Sequence, residues 1–350
     1  MQTIHEATFK KWIIENNLEV VIFNEETRWY PILICNQLGV KTGAYIDYYT
    51  EETIPLFKNY DFLICNTRRH YSAFSWHPQC FFVPWGTDIN LFKPKGMDNV
   101  DPQTLMFFHS AGFNPGRKGT DFVLMAFSQL SGNAKLIIHS QVELTHYFPK
   151  LKEMIEKLKN EGKLIYIKDT VPAPGLYHMG DIYVYPTRLE GIGLTIMEAL
   201  SCGLPVITTD CAPMNEFIND ENGKLIKVEK SYCRADAYYW PLSDVSVDSL
   251  SKCMQEYVDN FHRIKEFKAK TREHAIQDVD WEKNSIVLLD YIKDIKKIPA
   301  DEKIDIERKA LEYDKKRMSS ALQIYRKHPI LFSFCRYSWL LVKKILSIGS

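Results

Sequence analysis

"RLEGIGLTIMEALSCGLPVITTD" occupies residues 188–210. Two glutamates, Glu190 and Glu198, flank a Gly-Ile-Gly loop, and an apolar run follows at 204–209. The preceding "DIYVYP" (181–186) reads as a strand ending near Pro186, and "TRLEGIG" as the loop at its carboxyl end. "LTIMEALSCG" reads as a helix stopped by Gly203, a residue type suited to the position just past a helix. Strand, loop, helix and buried strand in that order make a parallel βαβ unit. Glu190 then lies in a loop over the strand ends and Glu198 in the first turns of the helix. Gly191 and Gly193 leave backbone N–H groups open to a close-lying ligand.

Working outward, the chain of 350 residues is long enough for two domains. Strand-like runs at 18–23, 41–46, 61–66 and 80–85 alternate with helical stretches such as "HEATFKKWIIENN" and "EETIPLFKNY". "PWGTDINLFKPKGMDNVDPQ" (84–103) breaks the rhythm and reads as a linker. A second alternation has strands at 104–110, 134–139, 163–168, 181–186, 204–209 and 223–228, which predicts a complete doubly wound domain. Beyond 245 the spacing is helical. The expected division is a short first domain over 1–93, a linker over 94–103, a second domain over 104–296 and a helical tail over 297–350.

Lys and Arg number 44 and Asp and Glu 44, so no overall field points to nucleic acid. Eight cysteines include no Cys-x-x-Cys pair and several sit in apolar runs. That pattern implies buried free thiols in a reducing, cytoplasmic compartment, without zinc or disulfides. The start, "MQTIHEATFKKW", has no apolar segment of the signal-peptide kind, and no uncharged apolar run approaches the roughly 18 residues of a membrane span.

The loop and helix around Glu190 offer one carboxylate for hydroxyls, a bare backbone, a helix N-terminus suited to phosphate and a second carboxylate for another hydroxyl pair. A nucleotide-sugar presents all of these partners. For an arbitrary pair of glutamates at this spacing, solvated loop and helix positions are the ordinary alternative. "SAGFNPGRKGTDFVLMAF" (110–127) follows the first strand of the second domain and brings Arg117 and Lys118 to a helix start, where two cations oppose the dipole unless an anion joins them. From this stretch alone a solvated basic pair serves equally well.

"EGIGLTIMEALSCGLPVITTD" resembles the E-G-x-G-L-x-x-x-E-A-x-x-x-G-x-P-V-I signature of the retaining family-four glycosyltransferases (glycosyl transferases group 1) of the GT-B fold. "VPWGTDINLFKP" (83–94), "NEFINDENGKLI" (215–226) and "DVDWEKNSIVLLDYI" (278–292) are similar to that family's linker, Glu…Asn-Gly segment and closing Trp-containing helix. The resemblance implies two facing Rossmann-like domains and metal-independent transfer of a sugar from a UDP- or GDP-linked donor to a glycan or lipid-linked hydroxyl. It gives catalytic roles to Glu190, Lys118 and Arg117. It gives donor binding to Gly191, Ile192, Gly193, Leu194, Glu198 and Val171, with no metal ligand and no obligatory cofactor. Asp278-Val279-Asp280 is a D-x-D sequence, but it opens a late helix and is expected to cap it.

The first domain departs from the family. It is about half the usual length, being either minimal or short of an N-terminal portion, and the usual His near the sugar is not identifiable. Asp47 and Tyr48 stand at the corresponding strand end in "AYIDYYTEE", and Asn66 stands at another in "CNTRRHYS". These are the acceptor-side candidates. For Asn66 and Thr67, helix capping is the equal alternative. A non-catalytic nucleotide-sugar-binding partner subunit is the alternative function, with a GT-B epimerase as a third. Residues 326–350 hold five Lys or Arg and no acid among Phe, Trp, Leu and Ile, the pattern of a segment lying on an anionic membrane surface at the cytoplasmic face. A terminal helix packed on the first domain is its alternative. With each basic residue adding about 1 kcal/mol near anionic lipid, removing 326–350 should abolish co-sedimentation with anionic vesicles. Equal binding by the full chain and the truncated one would refute the surface reading.

Overall fold

The β-rich runs form strands where the sequence sets them. The computed structural model describes residues 5–95 and 103–317. The chain divides into two units, one of Met1–Cys65, Ala73–Phe81 and Tyr291–Ser350, the other of Asn66–Ser72 and Phe82–Asp290. The tail segment 326–350 and most of the linker 94–103 lie outside the described residues.

The first sheet has the order β1 (Val20–Asn24), β2 (Lys41–Tyr45), β3 (Phe62–Cys65), β4 (Cys80–Phe82). β1, β2 and β3 run parallel. All four residues of β3 are buried, as a strand covered on both faces requires. The helical stretch "EETIPLFKNY" forms the 3-10 helix Ile54–Asn59. Pro55 sits in its first turn, and the Asn59 side chain donates to the Leu56 carbonyl at 2.8 Å, competing with the backbone pattern an α-helix would need.

Part of the stretch expected as a tail completes this unit. Helix Tyr30–Gln37 has no side-chain cap of its own. Asp314, on helix Ile304–Arg317, accepts the N–H groups of Trp29 and Tyr30 at 2.8 and 2.9 Å and so satisfies that helix start. Lys303, 1% exposed, meets the fully buried Asp61 at 2.8 Å. Asp61 also accepts the N–H groups of Ile298 and Thr42, at 2.9 and 2.8 Å, and the Thr42 hydroxyl at 3.3 Å, and Lys297 Nζ lies 3.7 Å away.

The second sheet has the order β10-β9-β8-β5-β6-β7. Its strands are β5 (Leu105–Gly112), β6 (Ala134–Ser140), β7 (Leu164–Lys168), β8 (Ile182–Tyr185), β9 (Val206–Thr209) and β10 (Gly223–Ile226), all parallel to their neighbours. The chain winds outward from β5 through β6 to β7, then returns to β8 on the other side of β5. The switch in winding direction falls between β5 and β8, where doubly wound sheets open a crevice at the strand ends. A two-stranded antiparallel ribbon, β11 (Val228–Tyr232) with β12 (Leu242–Val245), follows and was not foreseen. Asp280 caps helix Trp281–Ser285 by accepting the Glu282 N–H at 3.1 Å, as expected. Among the described residues no helix is long and apolar enough to cross a membrane.

Burial opposes ionisation of Asp61, yet Lys303 and the two backbone donors outweigh it and hold the carboxyl below its ordinary value. A carboxyl depressed on folding adds stability above its unfolded pKa, about 3.9, and that contribution fades as pH falls through the lower folded value. Lys303→Met should destabilise the protein by about 3–5 kcal/mol at neutral pH by stranding a buried charge. In thermal melts, the gap to wild type should narrow as acid protonates Asp61. A gap independent of pH would show that the pair is not the cause.

Candidate functional site

Glycine backbones bring two loops together at the switch point. Gly119 takes a left-handed φ of 73°, and a Cβ there would stand 2.1 Å from the Pro186 carbonyl oxygen, so only glycine allows the loop after β5 to meet the loop after β8 so closely. Gly193, at φ 89°, starts helix Leu194–Ser201, and Gly119 starts helix Thr120–Phe127. Neither helix start has a side-chain cap, so both leave first-turn N–H groups for another acceptor. Main-chain bonds join the loops, the Arg188 N–H donating to the Arg117 carbonyl at 2.8 Å.

Glu190, 8% exposed, is the centre of the arrangement. Its Oε1 accepts from Lys118 Nζ at 2.8 Å, Arg117 Nη1 at 3.0 Å, the Tyr185 hydroxyl at 2.9 Å and the Thr187 hydroxyl at 2.8 Å. No hydrogen bond from the described residues falls on Oε2. Lys118 also donates to the Tyr185 hydroxyl. Burial raises the carboxyl's pKa, but Lys118 and Arg117 overcome it and keep Glu190 ionised, below the usual carboxylate range. For Lys118 burial wins over the attraction of Glu190, and its pKa is lowered.

Glu198 stands apart from that cluster. Its Oε2 accepts the Tyr177 hydroxyl at 2.5 Å. Burial raises its pKa, partly offset by Tyr177 and Lys118. Gly191 and Ile192 lie in the loop, and Leu194, 43% exposed, opens the helix. Val171 is half-buried in the loop after β7. Asn66 is buried in the second unit, its carbonyl accepting the Trp85 N–H at 3.3 Å. Thr67 accepts the His70 N–H at 3.1 Å, the capping alternative. Asp47 and Tyr48 follow β2 in the first unit, both half-buried.

Several residues around the site carried no usable signal. Tyr177, in "PGLYHMG", is fixed only by the tertiary fold. His109 is fully buried, and its Nδ1 donates to the Val184 carbonyl at 2.8 Å. Its Nε2 accepts the hydroxyl of Thr120, the first residue of its helix, at 2.7 Å. Burial lowers its pKa to about 4, so it is neutral at physiological pH. Arg188 opens the motif yet faces away from Glu190. Its guanidinium bonds both Asp121 oxygens at 3.0 and 2.8 Å, Asp244 on β12 at 2.7 Å and the Gly116 carbonyl. It also lies 4.1 Å from the centre of the Phe122 ring. Among the described residues no group of three or more His, Cys, Asp or Glu is placed to hold a metal ion.

The pattern described as "Glycosyl transferases group 1" matches residues 103–243, the stretch that carries both loops. Over those residues the chain is similar to that family. Among solved structures, the chain is similar to Anabaena HepE in complex with UDP, with a TM-score of 0.66 at 14% identity over 82% of this chain and 81% of that one. That likeness establishes the GT-B fold. A probable sucrose-phosphate synthase of Thermosipho melanesiensis is 28% identical over 190 residues, 51% of this chain and 44% of that protein. A GDP-mannose-dependent monoacylated alpha-(1-6)-phosphatidylinositol monomannoside mannosyltransferase of Corynebacterium glutamicum is 26% identical over 238 residues, 61% and 56% of the two chains. The chain thus spans about half the length of these curated relatives.

Arg188 ties together both loops, the helix after β5 and the hairpin strand β12. Arg188→Ala should cost about 3 kcal/mol by leaving two part-buried carboxylates without their cation. It should also speed amide hydrogen exchange across 114–121. Unchanged exchange there would mean that the loop holds itself without this strap.

Proposed function

We propose that the protein is a retaining glycosyltransferase, moving a sugar from a UDP- or GDP-linked donor to a hydroxyl of a glycan or lipid-linked acceptor. One observation carries the reading. At the switch point, a buried ionised Glu190 with one oxygen saturated and the other unclaimed stands beside two cations and two uncapped helix starts. Oε2 of Glu190 is suited to sugar hydroxyls. Lys118, Arg117 and the open amides of Gly191, Ile192, Gly193 and Leu194 are suited to a diphosphate. Glu198, steadied by Tyr177, is suited to the ribose hydroxyls, and Val171 is a further donor-side candidate. HepE, which shares the fold, binds UDP. The Corynebacterium relative uses GDP-mannose on a lipid acceptor, as its name states. Asp47, Tyr48 and Asn66 remain the acceptor-side candidates, and 326–350 the contact with an anionic membrane surface at the cytoplasmic face.

The bond from the anomeric carbon to the phosphate oxygen breaks as the bond to the acceptor oxygen forms on the same face. The departing phosphate oxygen takes the acceptor's proton, so no protein nucleophile is needed. Lys118, Arg117 and the helix starts stabilise the charge that grows on the diphosphate. Glu190 orients the sugar and holds both cations in place.

Glu190→Gln should lower turnover far more than it lowers affinity for bare UDP or GDP, whereas Glu198→Gln should weaken that nucleotide affinity in calorimetry. Lys118→Ala should lower kcat/KM by a factor corresponding to about 2 kcal/mol. All of this should hold in chelator. Transfer that stops with chelator and returns with magnesium would overturn the charge assignment. Nucleotide-sugar binding without transfer or hydrolysis would leave a binding partner as the function.

A further inference from the structure

Two residues of the second unit hold the Glu190 loop by its main chain, and neither belongs to the charge cluster. Arg69 is 4% exposed and His70 fully buried. One Arg69 nitrogen donates to the Glu190 carbonyl, the other to the Ala212 carbonyl at 2.7 Å. The Nε2 of His70 donates to the Gly191 carbonyl at 3.1 Å. Both residues are themselves held. The N–H groups of Arg68 and Arg69 donate to the Glu216 carboxylate at 2.6 and 2.8 Å, and the Arg69 guanidinium lies 5.3 Å from the centre of the Trp240 ring.

In a planar trans peptide the C=O and N–H point in opposite directions. Turning the Glu190 carbonyl to Arg69 therefore turns the Gly191 N–H away from it. Turning the Gly191 carbonyl to His70 does the same for the Ile192 N–H. Neither N–H donates to a protein acceptor among the described residues. Two successive carbonyls are thus anchored, and the two amides that follow Glu190 are turned away from those anchors with no protein acceptor among the described residues. We infer that Arg69 and His70 are positioning residues for the donor: they fix the amides of Gly191 and Ile192 in the direction that meets its phosphate or sugar oxygens. This rests on the donor reading above. Burial, with a smaller push from Arg69, lowers the His70 pKa to about 3, so the ring keeps a single N–H at working pH. With the Gly191 carbonyl as partner, that proton sits on Nε2.

The test compares His70→Ala with His70→Gln, which keeps an N–H at similar reach, and adds Arg69→Lys, which keeps the charge and one donor. Transfer and donor hydrolysis are assayed with UDP-glucose and GDP-mannose, and ¹⁵N relaxation of Gly191 and Ile192 is measured in the full chain. His70→Ala should lower kcat/KM for the donor roughly tenfold and reduce the order of both amides. His70→Gln should restore most of both, and Arg69→Lys part of both. Unchanged relaxation at the two amides would overturn the positioning role, whatever the activity. So would equal losses in His70→Ala and His70→Gln that merely track the melting temperature. If wild type acts on neither donor while the relaxation changes appear, the positioning stands and the donor assignment fails.

Discussion

Four side chains converge on one carboxylate oxygen, Oε1 of Glu190, and the second unit is organised to make that possible. A buried carboxylate stripped of partners costs several kcal/mol. Two of its partners, Arg117 and Lys118, come from the loop after β5, and the other two, Tyr185 and Thr187, from the end of β8 and its loop. The charge can be buried only where those chain segments meet. The adjacency of β5 and β8, the missing Cβ at Gly119 and the Arg188 strap all serve that meeting. What results is a fixed field: two cations held by one anion, which leaves a net positive charge and one carboxylate oxygen free to accept.

The sequence made the strands of this unit readable because central parallel strands are buried on both faces, so their apolar runs are continuous. Glu190, Glu198 and the glycines were readable because a βαβ unit puts its loop at the strand ends and because the spacing matched a known signature. Lys118 was readable as a cation at an odd place, a helix start, but its pairing with Glu190 was not, since 72 residues separate them. Tyr177 and Arg69 left no local trace. Each acts through a backbone or side-chain partner chosen by tertiary packing. The hairpin of β11 and β12 escaped for a different reason: β11 is mostly exposed and β12 has only four residues, so no sustained apolar period marks them.

The first unit depends on residues beyond position 300. Helix Tyr30–Gln37 is mostly apolar and has no cap of its own, and its open start is satisfied by a carboxylate 284 residues away. Asp61 likewise depends on Lys303. Most charged residues of "ADEKIDIERKALEYDKKR" (300–317) are exposed. The two that matter, Lys303 and Asp314, have the same chemistry as their exposed neighbours and differ only in where the helix carries them.

The winding of the second sheet also bears on the order in which the chain acquires its site. The halves β5-β6-β7 and β8-β9-β10 are each made of contacts between neighbours in sequence, which form early because little loop entropy opposes them. The β5–β8 seam joins strands separated by the whole of the first half, so it closes late. The cations belong to one half and the carboxylate to the other. A chain with only one half folded has no preformed charge cluster to offer a ligand, and ligand binding, by selecting the closed seam, stabilises the complete sheet over its halves.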